Sequence, residues 1–210
     1  MATNNTEEFI PTRQSLLSRL KDWHDEQSWK AFFETYWKLI YGVARKSGLN
    51  DAEAQDVVQE TVISVAKKMP DFKYDPAVGS FKGWLMQLTR WRITDQVRKK
   101  QYEKDGKRYP REEALSTTLM ETRPDNGSFD LEKIWDQEWQ KNIMEIALEK
   151  AKRRVTPSQF QMFHLHVIKK IPARTVAQRL QVKLPEVYFA KYKTSAFIRK
   201  EIQHLENKML

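Results

Sequence analysis

DAEAQDVVQETVISVAKKMPDFKYDPAVGSFKGWLMQLTRWRITDQVRKK, residues 51–100, holds the reading that decides the fold. Asn50 or Asp51 can cap a helix with Val58, Val62, Val65 and Met69 on one face and Glu53, Asp56 and Glu60 gathered on another. Pro70 stops that helix, and Asp71, Asp75, Pro76 and Gly79 mark the next ten residues as a loop. Ser80 then caps a second helix, Phe81 to Gln101, with an apolar stripe of Phe81, Trp84, Leu85, Leu88 and Trp91 and a basic end at Arg98-Lys99-Lys100. An acidic face suits docking on a basic protein, whereas a basic face carrying aromatics suits nucleic acid. The segment therefore reads as an adaptor to DNA.

Towards the N-terminus, Thr12 can cap a helix to Lys21 with Leu16, Leu17 and Leu20 on one side. From Ser28 to Lys46, Trp29, Phe32, Phe33, Trp37, Ile40, Tyr41 and Ala44 recur at three- and four-residue steps and predict an aromatic buried stripe, closed by Gly48 as a C-terminal cap. Beyond residue 101 the chain turns polar as far as Asp130, with Gly106, Pro110, Pro124 and Gly127, and this stretch is read as a flexible linker. Periodicity resumes near Leu131 in a helix through Trp135, Trp139, Ile143, Ile146 and Leu148 to Arg154, after which Thr156-Pro157 restarts another. Val176, Ala177, Leu180, Val182 and Val187 then carry helix-turn-helix spacing, with Pro172 and Pro185 in first-turn positions. The second helix of that pair, Glu186 to Glu206, would present Tyr188, Lys191, Tyr192 and Lys193 near its start.

Composition sets the class. Six glycines among 210 residues, 40% hydrophobic content and no β-branched alternation argue for an all-α chain of one large or two small domains. Residues 1–101 hold 16 Lys and Arg against 13 Asp and Glu, residues 102–140 hold 6 against 10, and residues 141–210 hold 15 against 5. The basic C-terminal third suits contact with nucleic-acid phosphates, and equally a solvated helical surface of the kind common in Lys-rich chains. Zero cysteines exclude disulfides and thiolate metal sites. The N-terminal residues lack a signal-peptide pattern and the apolar runs are too short for a bilayer, so a cytoplasmic protein with no membrane insertion is expected. His164 and His166 stand two apart rather than four, and no nucleophile, acid–base or metal arrangement stands out, so no enzyme activity, metal or cofactor is expected.

Two separated stretches resemble the extracytoplasmic-function sigma factors of the sigma-70 family. Asp56-Val57-Val58-Gln59-Glu60 resembles the D-L-V-Q-E of region 2.2, and Phe81-x-x-Trp84-Leu85 with Arg90, Arg92, Asp95 and the basic end resembles regions 2.3 to 2.4, while the helix-turn-helix falls where region 4 belongs. The resemblance implies a region 2 helical bundle over residues 1–101, a linker over 102–130 and a region 4 domain over 131–210. It also implies that Asp56, Gln59 and Glu60 dock on the clamp helices of RNA polymerase core enzyme. Arg90, Trp91, Arg92, Arg98, Lys99 and Lys100 would then hold the separated minus-ten strands of promoter DNA, and Tyr188, Lys191, Tyr192 and Lys193 the minus-thirty-five duplex. An anti-sigma factor is a further partner of the kind the family has.

Departures from the family pattern are as informative. Trp91 stands where a small polar residue such as Asn is common, and it can either extend the core or stack on an unpaired base. Gln181 replaces the glycine of the turn, where a left-handed backbone costs a non-glycine residue about 1 kcal/mol. The string Lys183 to Tyr188 differs from the usual G-T-V-K-S-R. Two other readings stay open: a helix-turn-helix regulator that acts without polymerase, and a helical scaffold whose aromatic stripes bind proteins.

Overall fold

In a computed structural model that describes residues 13–72, 80–106 and 128–209, every regular element is helical. The order is α1 (Arg13–Arg19), α2 (Glu26–Lys46), α3 (Asp51–Lys68), α4 (Phe81–Lys104), α5 (Ser128–Arg154), α6 (Pro157–Phe163), a π-helical turn (His164–Ile168), α7 (Ala173–Leu180) and α8 (Leu184–Met209). The chain divides into two compact units, Met1–Trp139 with the last two residues, and Gln140–Lys208. The division falls inside α5. Thr12, most of the loop after Pro70 and most of the expected linker lie outside the described residues.

Local signals place the helix ends of the first unit. Asn50 caps α3 through a capping box, its side chain accepting from Glu53 N at 3.0 Å while the Glu53 carboxylate accepts from Asn50 N at 2.7 Å. Ser80 accepts from Gly83 N at 3.1 Å and opens α4, which runs to Lys104, three residues past the expected end. Gly48, at φ +90°, follows α2 in the left-handed backbone that glycine adopts without strain. α2 starts two residues before the expected Ser28, because Asp25 caps it by accepting from Ser28 N and Oγ.

α3 packs on both α2 and α4. The buried face of α2 is Phe32, Tyr36, Leu39, Ile40, Val43 and Ala44, which corrects the predicted stripe: Phe33 is exposed and Trp29, Trp37 and Tyr41 are only half-buried. On α3 the core takes Ala54, Val57, Val58, Thr61 and Val65, leaving Val62 half-buried. Phe81, Leu85 and Leu88 of α4 are buried as expected, whereas Trp84 is half-buried, its ring centroid 4.4 Å from Phe72 and 5.5 Å from Phe81. The start of α5 completes this core. Trp135 and Trp139 are buried, Trp139 lies against Tyr36 at 6.2 Å, and Lys82 sits over the Trp139 ring while pairing with Asp136 at 2.7 Å. Gly42 faces a buried Glu138, which is paired with Lys46 at 2.9 Å.

In the second unit α5 buries Ile143, Ala147 and Ala151, a four-residue ridge, so the predicted Ile146 and Leu148 are only half-buried. Thr156 caps α6 by a capping box with Gln159. α7 and α8 close on a core of Met162, Ala173, Val176, Ala177, Val187 and Ala190, with Leu165, Ile171, Leu180 and Val182 packed around it. Gln181 does adopt the left-handed conformation, φ 54°. Val182 N donates to Ala177 O at 3.0 Å and Gln181 N to Gln178 O at 3.3 Å, the paired bonds of a Schellman turn, and these hold the strained residue in place.

Candidate protein and nucleic-acid interfaces

The acids of α3 divide into two sets. Those of the first turn are spent on the fold: Asp51 accepts from the Tyr41 hydroxyl and from Gln55, and Glu53 closes the capping box and pairs with Lys100 at 3.1 Å. The backbone N–H of Asn50, and then Lys100, hold the Glu53 carboxyl below its ordinary range. Asp56, Gln59 and Glu60, one and two turns further on, are exposed, and their side chains take part in no hydrogen bond or ion pair among the described residues. Two carboxylates and an amide are thus open to solvent on one helix.

The six candidate DNA-binding residues of α4 have different surroundings. Neighbouring residues on a helix point 100° apart, so Arg90, Trp91 and Arg92 face three ways. Arg92 is committed to the fold: its guanidinium donates to Ser64 Oγ at 3.0 and 2.8 Å, tying α4 to α3, and to Asp95 at 3.1 Å. Burial pushes the Asp95 carboxyl up, and Arg92 only partly offsets this. Trp91 is half-buried with the Lys68 ammonium 4.7 Å from its ring centroid. Lys100 is engaged by Glu53, and Arg98 lies close enough to Asp95 to lower its pKa. Arg90 and Lys99 make no ion pair among the described residues, and Lys99 is exposed.

On α8, Val187, Ala190 and Thr194 are buried at three- and four-residue steps. That rotation turns the candidate residues outward: Tyr188 is 52% and Tyr192 70% exposed, and Lys191 and Lys193 are exposed beside them. Phe189, which the sequence reading passed over, is 57% exposed on the same side, with Lys193 Nζ 5.9 Å from its ring centroid. The buried spacing itself carried the signal, since a helix that buries 187, 190 and 194 must show 188, 189 and 192 to solvent. His164 and His166 lie in the π-helical turn, where His166 Nδ1–H donates to Ile171 O at 2.9 Å and the ring meets Tyr188 edge-on. No helix among the described residues is long and apolar enough to cross a membrane.

Residues 32–102, spanning most of α2 and all of α3, with α4 almost to its end, match the family model for Sigma-70 region 2. The matched segment is about a third of the chain's length. No curated protein matches it. Among solved structures it is similar to CnrH in complex with the cytosolic domain of CnrY, with 14% identity over 92% of this chain and 99% of that one and a TM-score of 0.37, a likeness too loose to support an argument.

Proposed function

We propose that this protein is a sigma factor of the extracytoplasmic-function kind, which brings core RNA polymerase to specific promoters in the cytoplasm and helps to open them. The carrying observation is the region 2 match over residues 32–102, within which Asp56, Gln59 and Glu60 stand exposed and unengaged. In this reading α3 docks on the polymerase clamp through those three side chains. Arg90, Arg98 and Lys99 on α4 supply phosphate contacts for the opened minus-ten strands. Arg92 and Lys100 act by fixing α4 against α3, and Trp91, half open under Lys68, supplies a ring for an unpaired base. The second unit, with 15 Lys and Arg against 5 Asp and Glu, holds the minus-thirty-five duplex by α8. An anti-sigma factor would act by covering these same surfaces.

A second reading, a helix-turn-helix regulator independent of polymerase, draws on the well-formed α7–turn–α8 unit alone. Run-off transcription with purified core enzyme separates the two. Specific transcripts are expected with the wild type, and the Asp56→Lys, Glu60→Lys double variant is expected to lose core binding by a factor on the order of ten or more while keeping its affinity for duplex DNA. Neither transcripts nor copurifying polymerase from the wild type would leave the regulator standing.

A further inference from the structure

We infer that the second unit reads thymine methyl groups in duplex DNA, with Phe189 as the specificity-determining side chain; this rests on the helix-turn-helix part of the function proposed above. Three large rings, Tyr188, Phe189 and Tyr192, share the outer side of the first turns of α8, each more than half exposed. Clustered exposed apolar surface on a small unit marks a recognition face. The same helix-turn-helix is basic: Arg174 and Arg179 on α7, Lys183 in the turn, and Lys191 and Lys193 beside the rings on α8 are all exposed, which fits an occupant that carries negative charge as well as apolar groups.

The residue types then select the base. From Leu184 to Thr194 the helix contains no Arg, Asn or Gln. Adenine is read by Asn or Gln and guanine by Arg or Lys, so Lys191 and Lys193 are the only guanine readers of the stretch and adenine has none, whereas thymine is distinguished by apolar contact with its C5 methyl, which the three rings can supply. The one carboxylate of the stretch, Glu186, faces back to Lys183 N at 3.4 Å in a cap-like contact. Tyr188 has its ring against His166, which Ile171 O holds in place, and its hydroxyl, like that of Tyr192, can serve a phosphate. Phe189 has only hydrocarbon to offer. With Lys193 over its ring, it presents an apolar surface flanked by a phosphate-seeking charge.

The experiment enriches duplexes from a random pool with the full chain, alone and with core polymerase. The enriched duplex is then resynthesised with deoxyuridine for thymidine, which removes only the methyl groups, and affinities are compared at one salt concentration. Binding is expected to weaken roughly fourfold per contacted thymine, the worth of one buried methyl. Phe189→Ala should bind the two duplexes alike, Phe189→Leu should restore part of the difference, and Lys191→Ala should weaken both equally. Equal binding of both duplexes by the wild type overturns the inference and leaves the proposed function intact. A Phe189→Ala variant that weakens both by the same factor overturns it too, as does one that leaves DNA binding unchanged but loosens core polymerase. If no duplex is enriched under either condition, the DNA-reading role of the second unit fails and the inference with it.

Discussion

Asp25 caps α2, and its carboxylate also takes two hydrogen bonds from Arg19, at 2.7 and 3.0 Å. The Arg19 hydrogen bond is the chief reason its pKa falls from 3.8 to about 2, opposed by desolvation and helped by Ser28. A carboxyl whose folded pKa is depressed adds stability above its unfolded value and loses it as pH falls through the folded one. The contribution of Asp25 is thus complete above about pH 4 and gone near pH 2. In Asp25→Asn the amide oxygen can still cap α2, but the ion pair with Arg19 is gone. Urea midpoints should therefore separate wild type from variant at pH 5 and converge as pH drops to 2; a gap that stays constant over that range would show that the Arg19 pair contributes nothing. Arg92 holds a different kind of residue-scale lesson. Its pattern on α4 reads as a phosphate contact, yet Ser64, 28 residues earlier, claims the guanidinium, and no sequence spacing announces a partner on another helix.

At the scale of the helix, what was legible depended on how local the cause was. The caps at Asn50, Ser80 and Thr156 follow from residues three apart and are found where expected. The acidic face of α3 was legible for the same reason, since the buried positions of one helix decide its exposed ones. α2 was not. Trp29, Phe33, Trp37 and Tyr41 form one four-residue ridge and Phe32, Tyr36 and Leu39 belong to another, and both are apolar enough to bury. The choice between them is made by what packs alongside, α3 and the start of α5, which lie far away in sequence. Gly42 marks that contact. A Cβ there would stand 2.3 Å from Glu138 Oε2 and 2.9 Å from its Cδ. The carboxylate is 6% exposed and held by Lys46, so it has little room to yield. Gly42→Ala gains about 1 kcal/mol of helix propensity but displaces a buried charge, and a net loss of about 1–2 kcal/mol is expected. Adding Glu138→Ala should recover that loss. A single variant as stable as wild type in urea would mean that Glu138 swings out freely.

For the whole molecule, the all-helical class was legible from composition, while the division of the described chain inside α5 has no mark in the sequence. Polar residues 102–130 read as the boundary, yet Trp135, Asp136, Glu138 and Trp139 belong with the first unit by their contacts. The cause is the periodicity of α5: its apolar residues continue without a break from Trp135 to Ile143, so nothing in the sequence separates the part that covers Tyr36 from the part that packs in the second unit. A fragment ending at residue 101 would leave Tyr36 and Gly42 uncovered and Lys82 without Asp136. A fragment ending at 139 retains all of these contacts. The shorter fragment lacks two buried tryptophans, Trp135 and Trp139; removing even one costs about 3–5 kcal/mol, which sets the least loss expected, and the two ion pairs, each with a partly exposed partner, add little beyond that. The longer fragment should therefore unfold in urea as a single cooperative transition at a clearly higher midpoint, followed by far-ultraviolet circular dichroism, with the shorter one less stable by at least about 3–5 kcal/mol or unfolded. Coincident curves for the two fragments would place the start of α5 outside the folding unit that α2, α3 and α4 form.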